Sequence, residues 1–416
     1  MLGNGVLVAE GDVHRTQRKH LNPAFAFRHI KELYPIFWDK ALELNRKLEQ
    51  HIHSSGSNEI EAGDWVSRAT LDIIGLAGTG LEIDSLDTPD NLLHSSYKIV
   101  LSPSRASQIL GLLGQFFSPR LTSLLPIKRN EELNDASKVA RETARDLIQR
   151  KKLQIKEKGR SDNDIISVAL ESGFFTEENL VDQMMTYVLS YSYSIIPSFK
   201  RPTNMDISSH SFLLAGHETT ATAMQWALLI LCRNPTIQTR LRSEIHSKLS
   251  PSQSMTSELL DALPYLHGFC MEVLRFYAPV PLTLRIASQD TTILQQFIPK
   301  GTVIIVSPWA INFSEALWGP DASDFKPERW LNAEGTRPNN DGGAKSNFAF
   351  LTFLHGAHNC IGQGFAVAEF KALVATWVGY WDTELRDPDE QLDIKAGVTA
   401  KPRNGMNVKI RSAQWD

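Results

Sequence analysis

A helical spacing of apolar residues runs through most of the chain between residues 15 and 150. Apolar side chains that recur every three or four residues lie on one face of an α-helix. Two stretches show this spacing, one carrying Leu42, Leu44 and Leu48 and the other Trp65, Ala69, Leu71, Ile74 and Leu76. Similar runs predict three further helices, at 212–231, 258–278 and 363–378.

A short β-rich segment interrupts the helical pattern at residues 291–307. Ile298-Pro299-Lys300-Gly301 has turn chemistry, and the run 303–306 is β-branched, so short strands are predicted here. Residues 151–164 are densely charged and predict a solvated surface connection. Neither a repeat nor a clean linker divides the chain, so residues 1–416 are expected to form a single domain. We therefore predict a mainly α fold with a minor β part, in the α+β class.

Composition narrows the class of protein without changing this fold. Apolar residues make up 42% of the chain and charged residues 22%, the usual balance of a globular protein with a large core. A net charge of −4 gives no sign of a nucleic-acid partner. Cys232, Cys270 and Cys360 are too few for a disulfide framework, which favours a reducing compartment. Neither a signal peptide nor a run of about 18 apolar residues is visible in the sequence.

The strongest candidate for chemistry is a loop with the spacing F-x-x-G-x-x-x-C-x-G, which runs from Phe353 to Gly362. A cysteine thiolate can be the axial ligand of a haem iron and favours cleavage of dioxygen. Gly356 lets the backbone lie against a flat macrocycle, and Phe353 can shield the sulfur. Backbone N–H groups ahead of the next predicted helix can stabilise a thiolate. The loop therefore predicts a haem site with Cys360 as the iron ligand.

Two other interpretations of this loop stay open from the loop alone. Cys360 can be a buried small hydrophobic residue, as isolated cysteines often are. His355, His358 and Cys360 also offer three zinc or copper ligands within six residues. The haem interpretation is favoured because the rest of the chain supplies further parts that a haem protein needs.

A second element, the hexapeptide A-G-H-E-T-T at 215–220, lies inside a predicted apolar helix. Gly216 can leave room for dioxygen over an iron, Thr219 can hydrogen-bond the dioxygen, and Glu218 can take part in a proton relay. Alternatively, Glu218 and Thr219 are solvent-facing residues of an amphipathic helix. A zinc motif of the H-E-x-x-H type is excluded because position 221 is alanine.

These two elements resemble the haem loop and the oxygen-activation motif of the cytochrome P450 superfamily, and the resemblance extends over residues 11–406. It implies a cytochrome P450-like fold that binds haem, iron protoporphyrin IX, through Cys360. Glu272 and Arg275 match the family's E-x-x-R pair, and Arg329 matches a later arginine of the family. The resemblance implies that these three charged residues form a buried network that braces the haem loop.

The same resemblance assigns partners to the two haem propionates, whose carboxylates need cationic or hydrogen-bonding groups. His14 and Arg18 match a helix of the H-x-x-x-R type, and Arg285 matches a strand arginine. His358 stands where the family most often has arginine, and a histidine can still donate to a propionate. The implied cofactor-binding set is therefore His14, Arg18, Arg285, Phe353, Gly356, His358 and Cys360.

The resemblance implies a haem-thiolate monooxygenase that inserts one oxygen atom from O2 into a small hydrophobic substrate, with Glu218 and Thr219 delivering protons. Electrons are implied to come from NADPH through a reductase partner. Residues 279–283 and 398–400 match segments that line the family's substrate pocket. The style of the motifs is similar to that of fungal members that modify lipids or secondary metabolites. Two alternatives stay open: an inactive truncated product that binds no haem, and a haem-thiolate isomerase or peroxide-dependent enzyme.

The resemblance starts just before the helix of His14 and Arg18. We therefore expect the chain to lack the family's membrane anchor, first strands, first two helices and the substrate-contacting loop after them. Family members are typically found at the endoplasmic reticulum membrane, on its cytosolic face. For a chain without the anchor, the expectation is the cytoplasm, or the location stays open.

Residues 187–211 look foreign to this pattern. They contain seven serines together with Pro197 and Pro202, and each proline inside a helix costs about 3 kcal/mol. Without them, residues 180–186 and 212–231 join into one continuous helix of the kind that crosses the haem in this family. We hypothesise a non-native insertion, a retained intron that keeps the reading frame. The alternative is a surface loop, although loops of this length are uncommon inside compact domains.

Overall fold

The computed structural model describes residues 5–7, 9–101, 128–158, 164–185 and 212–415. The hypothesised insertion at 187–211 lies outside the described residues. Helices occupy most of the described chain and the strands are short, so the predicted mainly α fold with a minor β part is confirmed.

The first half of the described chain contains helices α1 (Gly11–Leu21), α2 (Phe27–Lys31), α3 (Tyr34–Ser55), α4 (Ala62–Thr79), α5 (Leu92–Leu101), α6 (Lys128–Lys158), α7 (Ile165–Glu171) and α8 (Glu177–Met185). The second half contains α9 (Phe212–Arg233), α10 (Pro235–Lys248), α11 (Ser257–Asp261), α12 (Pro264–Phe276), α13 (Pro308–Asn312), α14 (Glu315–Trp318) and α15 (Gln363–Tyr380). In the described part of the chain, no helix has the length and apolar character needed to cross a membrane.

The strands are β1 (Glu59–Glu61), β2 (Thr283–Ile286), β3 (Thr291–Ile293), β4 (Gln296–Ile298), β5 (Val303–Val306), β6 (Trp381–Leu385), β7 (Ile394–Ala396), β8 (Ala400–Pro402) and β9 (Asn407–Ser412). They form a small antiparallel sheet in the order β1-β9-β6 and three antiparallel pairs, β2-β5, β3-β4 and β7-β8. The predicted turn before β5 is present, and Gly301 supplies its left-handed backbone at a φ of 86°.

The core is organised around α9, which packs against α4, α15 and β6. This helix is apolar around most of its circumference, and such a helix is stable only when other elements cover it. Trp226 on α9 and Trp377 on α15 are among the largest fully buried side chains. The indole N–H of Trp226 donates to the carbonyl of Ala400 at 2.8 Å, which ties α9 to β8.

Within the charged stretch at 151–164, residues 152–157 are exposed or half-buried as predicted, but Lys151 and Asp164 are buried. Lys151 lies about two turns before the end of α6. Its side chain is fully buried, 2.5 Å from a carboxylate oxygen of Asp164. Asp164 caps α7 by accepting from the backbone N–H of Ser167 at 2.9 Å. A Cβ atom at Gly80 would lie 2.6 Å from Nζ of Lys151, so the buried lysine sits where α4 ends. Packing therefore buries two charged residues of this stretch, Lys151 and Asp164, as a pair.

Candidate functional site

The cysteine loop reverses the chain between the half-buried Phe353 and helix α15. The backbone N–H of Cys360 donates to the carbonyl of Phe353 at 2.8 Å and closes the loop. Leu354 and Gly356 both have positive φ angles, 58° and 80°. At Gly356 this conformation is accessible without strain because there is no Cβ atom. Gly362 ends the loop as the N-cap residue of α15.

Cys360 is a free thiol whose side chain is exposed. Protein atoms around it still raise the pKa of the thiol, while the backbone N–H of Gly362 and the guanidinium of Arg18 act in the opposite direction. A metal ion that binds the exposed thiol would replace its proton, since the thiolate is the ligand form.

Arg18 on α1 anchors the loop beside Cys360. Its Nη1 donates to the backbone carbonyl of Asn359 at 2.6 Å, and its Nη2 donates to Oδ1 of the same residue at 2.7 Å. Its Nε donates to Oδ1 of Asn22 at 3.1 Å. Sequence reasoning found Arg18 but not these partners. Asn22 is one helical turn away and was open to a spacing argument, whereas Asn359 is 341 residues distant.

Two imidazoles extend this electropositive region. His14 is buried on α1, and its ring stacks on that of His358 with centroids 3.8 Å apart. Burial lowers the pKa of both imidazoles, with Arg285 lowering that of His358 further and Arg18 lowering both. Arg285 is exposed on β2, where its Nη1 donates to Oγ1 of Thr283 at 3.0 Å. Burial is the main cause of both depressed pKa values, and the neighbouring guanidinium groups act in the same direction.

The donor set of this site fits a haem. Arg18 and Arg285 form no ion pair with a carboxylate in the described part of the chain, so two guanidinium groups remain to balance propionates. An exposed thiol lies beside them and can ligate an iron. By contrast, His355, His358 and Cys360 do not form a zinc or copper site. Throughout the described residues, no three His, Cys, Asp or Glu side chains converge closely enough to bind a metal ion.

A buried ion pair stands behind the loop, as the E-x-x-R spacing implied. Nε and Nη2 of Arg275 donate to the two carboxylate oxygens of Glu272, each at 2.8 Å, and both side chains are fully buried. The same carboxylate accepts from Nε of Arg329 at 3.4 Å and from the indole N–H of Trp330 at 2.9 Å. Paired and hydrogen-bonded in this way, the buried charges have the partners that they need.

Asn312 connects this pair to the cysteine loop. Nη1 of Arg275 donates to the carbonyl of Asn312 at 2.7 Å, and Nδ2 of Asn312 donates to Oγ1 of Thr352 at 2.9 Å. Oδ1 of Asn312 accepts from the backbone N–H of Leu351 at 3.0 Å. Thr352 directly precedes Phe353, so the buried network reaches the first residue of the loop. Asn312 was not found from the sequence, because no local motif marks it.

Glu218 on α9 is buried. Its carboxylate accepts hydrogen bonds from a residue of β8 and from the residue that precedes this strand. Its Oε1 accepts from Oγ1 of Thr399 at 3.0 Å and from Nζ of Lys401 at 2.8 Å. Oγ1 of Thr219 donates to the carbonyl of Ala215, one turn earlier, at 2.6 Å. Glu218 is therefore not the solvent-facing residue of the alternative interpretation. Lys401 was missed because it lies 183 residues away in the sequence.

Gly216 lies where α9 packs closely on α4. A Cβ atom there would lie 2.8 Å from Cγ1 of Ile74 on α4. The missing side chain lets the two helices approach, so helix packing is one reason for a glycine here. That Gly216 leaves room for dioxygen stays a prediction.

Comparison with known proteins identifies the family of this chain. A sequence model of the family described as Cytochrome P450 matches residues 1–190 and 198–409. Cytochrome P450 monooxygenase sphH of Aspergillus fumigatus is 41% identical over 421 residues, which cover 99% of this chain and 72% of the relative. Cytochrome P450 monooxygenase FUM15 of Gibberella moniliformis is 39% identical, over 98% of this chain and 73% of the relative.

A third relative, Cytochrome P450 monooxygenase ALT8 of Alternaria alternata, is 35% identical over 99% of this chain and 75% of its own length. The family match covers far more than half of the chain, and it includes the cysteine loop, the buried ion pair and the motif on α9. The chain therefore belongs to the cytochrome P450 family, as a haem-dependent oxidoreductase.

Proposed function

We propose that this protein is a haem-thiolate monooxygenase that inserts one oxygen atom from O2 into a small hydrophobic substrate, a lipid or a secondary metabolite. Electrons come from NADPH through a reductase partner. The observation that carries the proposal is the exposed Cys360 thiol, held by the hydrogen bonds of Arg18 to the preceding residue. The three relatives described above support it, because each is named a monooxygenase.

In this proposal the cofactor is held from two directions. Cys360 ligates the iron, and the propionates are bound by His14, Arg18, Arg285 and His358. Phe353 shields the sulfur, and Gly356 lets the loop lie against the macrocycle. A haem bound there supplies the dioxygen chemistry that the side chains of this chain lack.

Glu218 and Thr219 deliver protons in this proposal. Lys401 supports a route from solvent, because its side chain is 28% exposed while its ammonium group binds the buried Glu218 carboxylate. A proton that enters at Lys401 reaches Glu218 through this contact and leaves when the carboxyl group turns towards Thr219. Thr219 holds its own proton in the hydrogen bond to Ala215 until an acceptor arrives.

The substrate lies beside this proton route in our proposal. The two segments expected to line the pocket are joined directly, because the backbone N–H of Ala400 donates to the carbonyl of Pro279 at 2.9 Å. Thr399 in the second segment also donates to Glu218. A pocket wall made of small apolar residues and linked to the acid suits an apolar substrate.

The test is the carbon monoxide difference spectrum of the reduced, haem-supplemented protein. We expect the strongly red-shifted Soret band of a thiolate-ligated haem, and we expect Cys360→Ser to lose that red shift. Absence of the band from the parent protein would favour a product that binds no haem. If the band is present, turnover with NADPH and a reductase supports the monooxygenase, while turnover with peroxide alone favours the peroxide-dependent alternative.

A further inference from the structure

Helix α15 carries a buried carboxyl group that the proposed chemistry does not use. Glu369 lies nine residues after Cys360, and its side chain is fully buried. Its Oε2 lies 3.0 Å from Oγ1 of Thr220 on α9. Its Oε1 has no hydrogen-bond partner among the described residues. A buried ionised carboxylate with one partner would be strongly unfavourable, so the protonation state of Glu369 needs explaining.

The surroundings of Thr220 indicate which state is present. Oγ1 of Thr220 lies 3.1 Å from the carbonyl of Gly216 and 3.0 Å from Glu369, but a hydroxyl group has a single proton to donate. A protonated Glu369 can donate to Oγ1 of Thr220, and Thr220 then donates to Gly216. In that arrangement each proton has one acceptor. An ionised Glu369 would instead compete with Gly216 for the same proton.

We propose that Glu369 is a neutral carboxylic acid that donates to Thr220 and so fixes α9 to the helix that follows the cysteine loop. Glu369 is then a positioning residue for Thr219, the neighbour of Thr220. This effect on Thr219 rests on the proposed function. The hydrogen bond itself does not, because it joins two residues of this chain.

The charges near Glu369 agree with a neutral acid. Burial raises the pKa of Glu369 well above its usual range, and the hydroxyl of Thr220 is the one influence in the opposite direction. Lys371 on the same helix is paired with Asp261 at 2.7 Å. Glu218 on α9 is paired with Lys401. Neither charge influences the pKa of Glu369.

The protonation state is tested without turnover, by infrared spectroscopy of the full chain at neutral pH. We expect a carboxylic-acid C=O band in the parent protein that Glu369→Gln removes, both with and without haem. Glu334→Gln is the matched control, because Glu334 lies in an exposed loop and its replacement leaves the acid band unchanged. If Glu369→Gln removes carboxylate bands instead of the acid band, Glu369 is ionised and the inference is overturned.

Stability gives an independent readout of the same proton. A folded state that holds a proton which the unfolded chain releases becomes less stable as pH rises above the ordinary Glu pKa of about 4.3. The unfolding constant of the parent protein, relative to Glu369→Gln, should therefore rise by up to about tenfold per pH unit between about pH 5 and 7. A ratio that does not vary with pH contradicts a neutral Glu369.

The positioning role is tested by uncoupling, measured as hydrogen peroxide released per NADPH consumed with a surrogate reductase. Glu369→Gln keeps an N–H donor for Thr220 and should stay close to the parent. Glu369→Leu and Thr220→Val lose the bond and should raise peroxide release roughly fivefold, with the thiolate carbon monoxide band retained. If Glu369→Gln raises peroxide release as much as Glu369→Leu does, the position of α9 does not depend on a neutral hydrogen-bond donor at residue 369. A parent without the thiolate band would contradict the proposed function and leave the infrared result unaffected.

Discussion

The two sides of the candidate haem site differ in how completely their buried charges are paired. Behind the cysteine loop, the Glu272 carboxylate receives hydrogen bonds from Arg275, Arg329, Trp330 and the backbone N–H of Lys326. On the side of α9, the Glu218 carboxylate accepts two hydrogen bonds, both at Oε1, from Thr399 and from the partly exposed Lys401.

This difference distinguishes the residues that fix the position of the cysteine loop from the residues that transfer protons. A buried network whose hydrogen bonds are all satisfied has one favourable geometry. The network around Glu272 and Arg275, here called the brace, therefore gives the cysteine loop a fixed position. Groups that move protons need the opposite property, because a carboxyl group with few partners can change its protonation or its rotamer. Stability is therefore expected to depend mainly on the brace, and turnover mainly on the residues of α9.

The largest expected effect is on stability, from Glu272→Ala. Removing this carboxylate leaves Arg275 charged and buried, and should lower the free energy of unfolding by roughly 3–5 kcal/mol in a urea titration. Glu328→Ala is the matched control, since Glu328 pairs with Arg240 at the exposed surface and should change stability by about 0–1 kcal/mol. Equal decreases in the free energy of unfolding of the two variants would mean that the brace stabilises the fold no more than a surface ion pair does.

On the side of α9, Glu218→Gln should lower kcat about 100-fold because the amide cannot pass on a proton. The carbon monoxide spectrum should stay that of the parent, and unfolding should be little changed. Lys401→Met should have a smaller effect, because water can replace the ammonium group at the surface. The exposed Glu315→Gln serves as control. Unaltered kcat in Glu218→Gln would remove this residue from the proton route.

Arg18→Ala should weaken haem binding roughly 10- to 100-fold, since it frees the residue next to the iron ligand from both of its hydrogen bonds. The haem affinity of Arg18→Lys should lie between those of the parent and Arg18→Ala, because lysine keeps the charge but not the planar guanidinium group. Arg15→Ala on the same helix is the control, as its side chain is 83% exposed. Titration of haem by its Soret absorbance measures the affinities, and equal affinities for the Arg15 and Arg18 variants would contradict the anchoring role.

The smallest expected effect is a pH dependence of stability from His267 on α12. Burial lowers the pKa of His267 to about 4, from an ordinary value of 6.5. Between these values the folded protein binds fewer protons than the unfolded chain, so the free energy of unfolding falls as pH is lowered from 6.5 to about 4. Relative to His267→Gln, the loss should be about 1–2 kcal/mol, allowing for partial exposure of the ring.

The matched control for this pH dependence is His53→Gln, which replaces an exposed histidine at the end of α3. It should leave the pH profile of unfolding unchanged. A profile of His267→Gln that runs parallel to the parent across this range would show that His267 is not the group responsible.

Much of the architecture was predictable because helical periodicity is a local property. The run at 363–378 became α15, and the β-branched segment became β5. The run predicted as one helix at 258–278 is divided in two, because α11 ends at Asp261 and α12 begins at Pro264. The i,i+3 spacing of Glu272 and Arg275 puts both charges on one helix face, and the ion pair forms there. The F-x-x-G-x-x-x-C-x-G spacing likewise identified the cysteine loop, because the whole motif lies within ten residues.

Tertiary packing decided the contacts between residues that are distant in sequence. No spacing rule links Glu218 to Lys401, Thr220 to Glu369, or the absent side chain of Gly216 to Ile74. Lys151 shows the same limit, because its charged neighbours predicted exposure and the fold buried it. The sequence by itself determined which residues share a helix face and which loop holds the thiol, since these follow from backbone geometry over a few residues. Which charges meet and which proton is shared depended on how the helices pack, because burial and pairing are properties of surfaces that exist only in the folded chain.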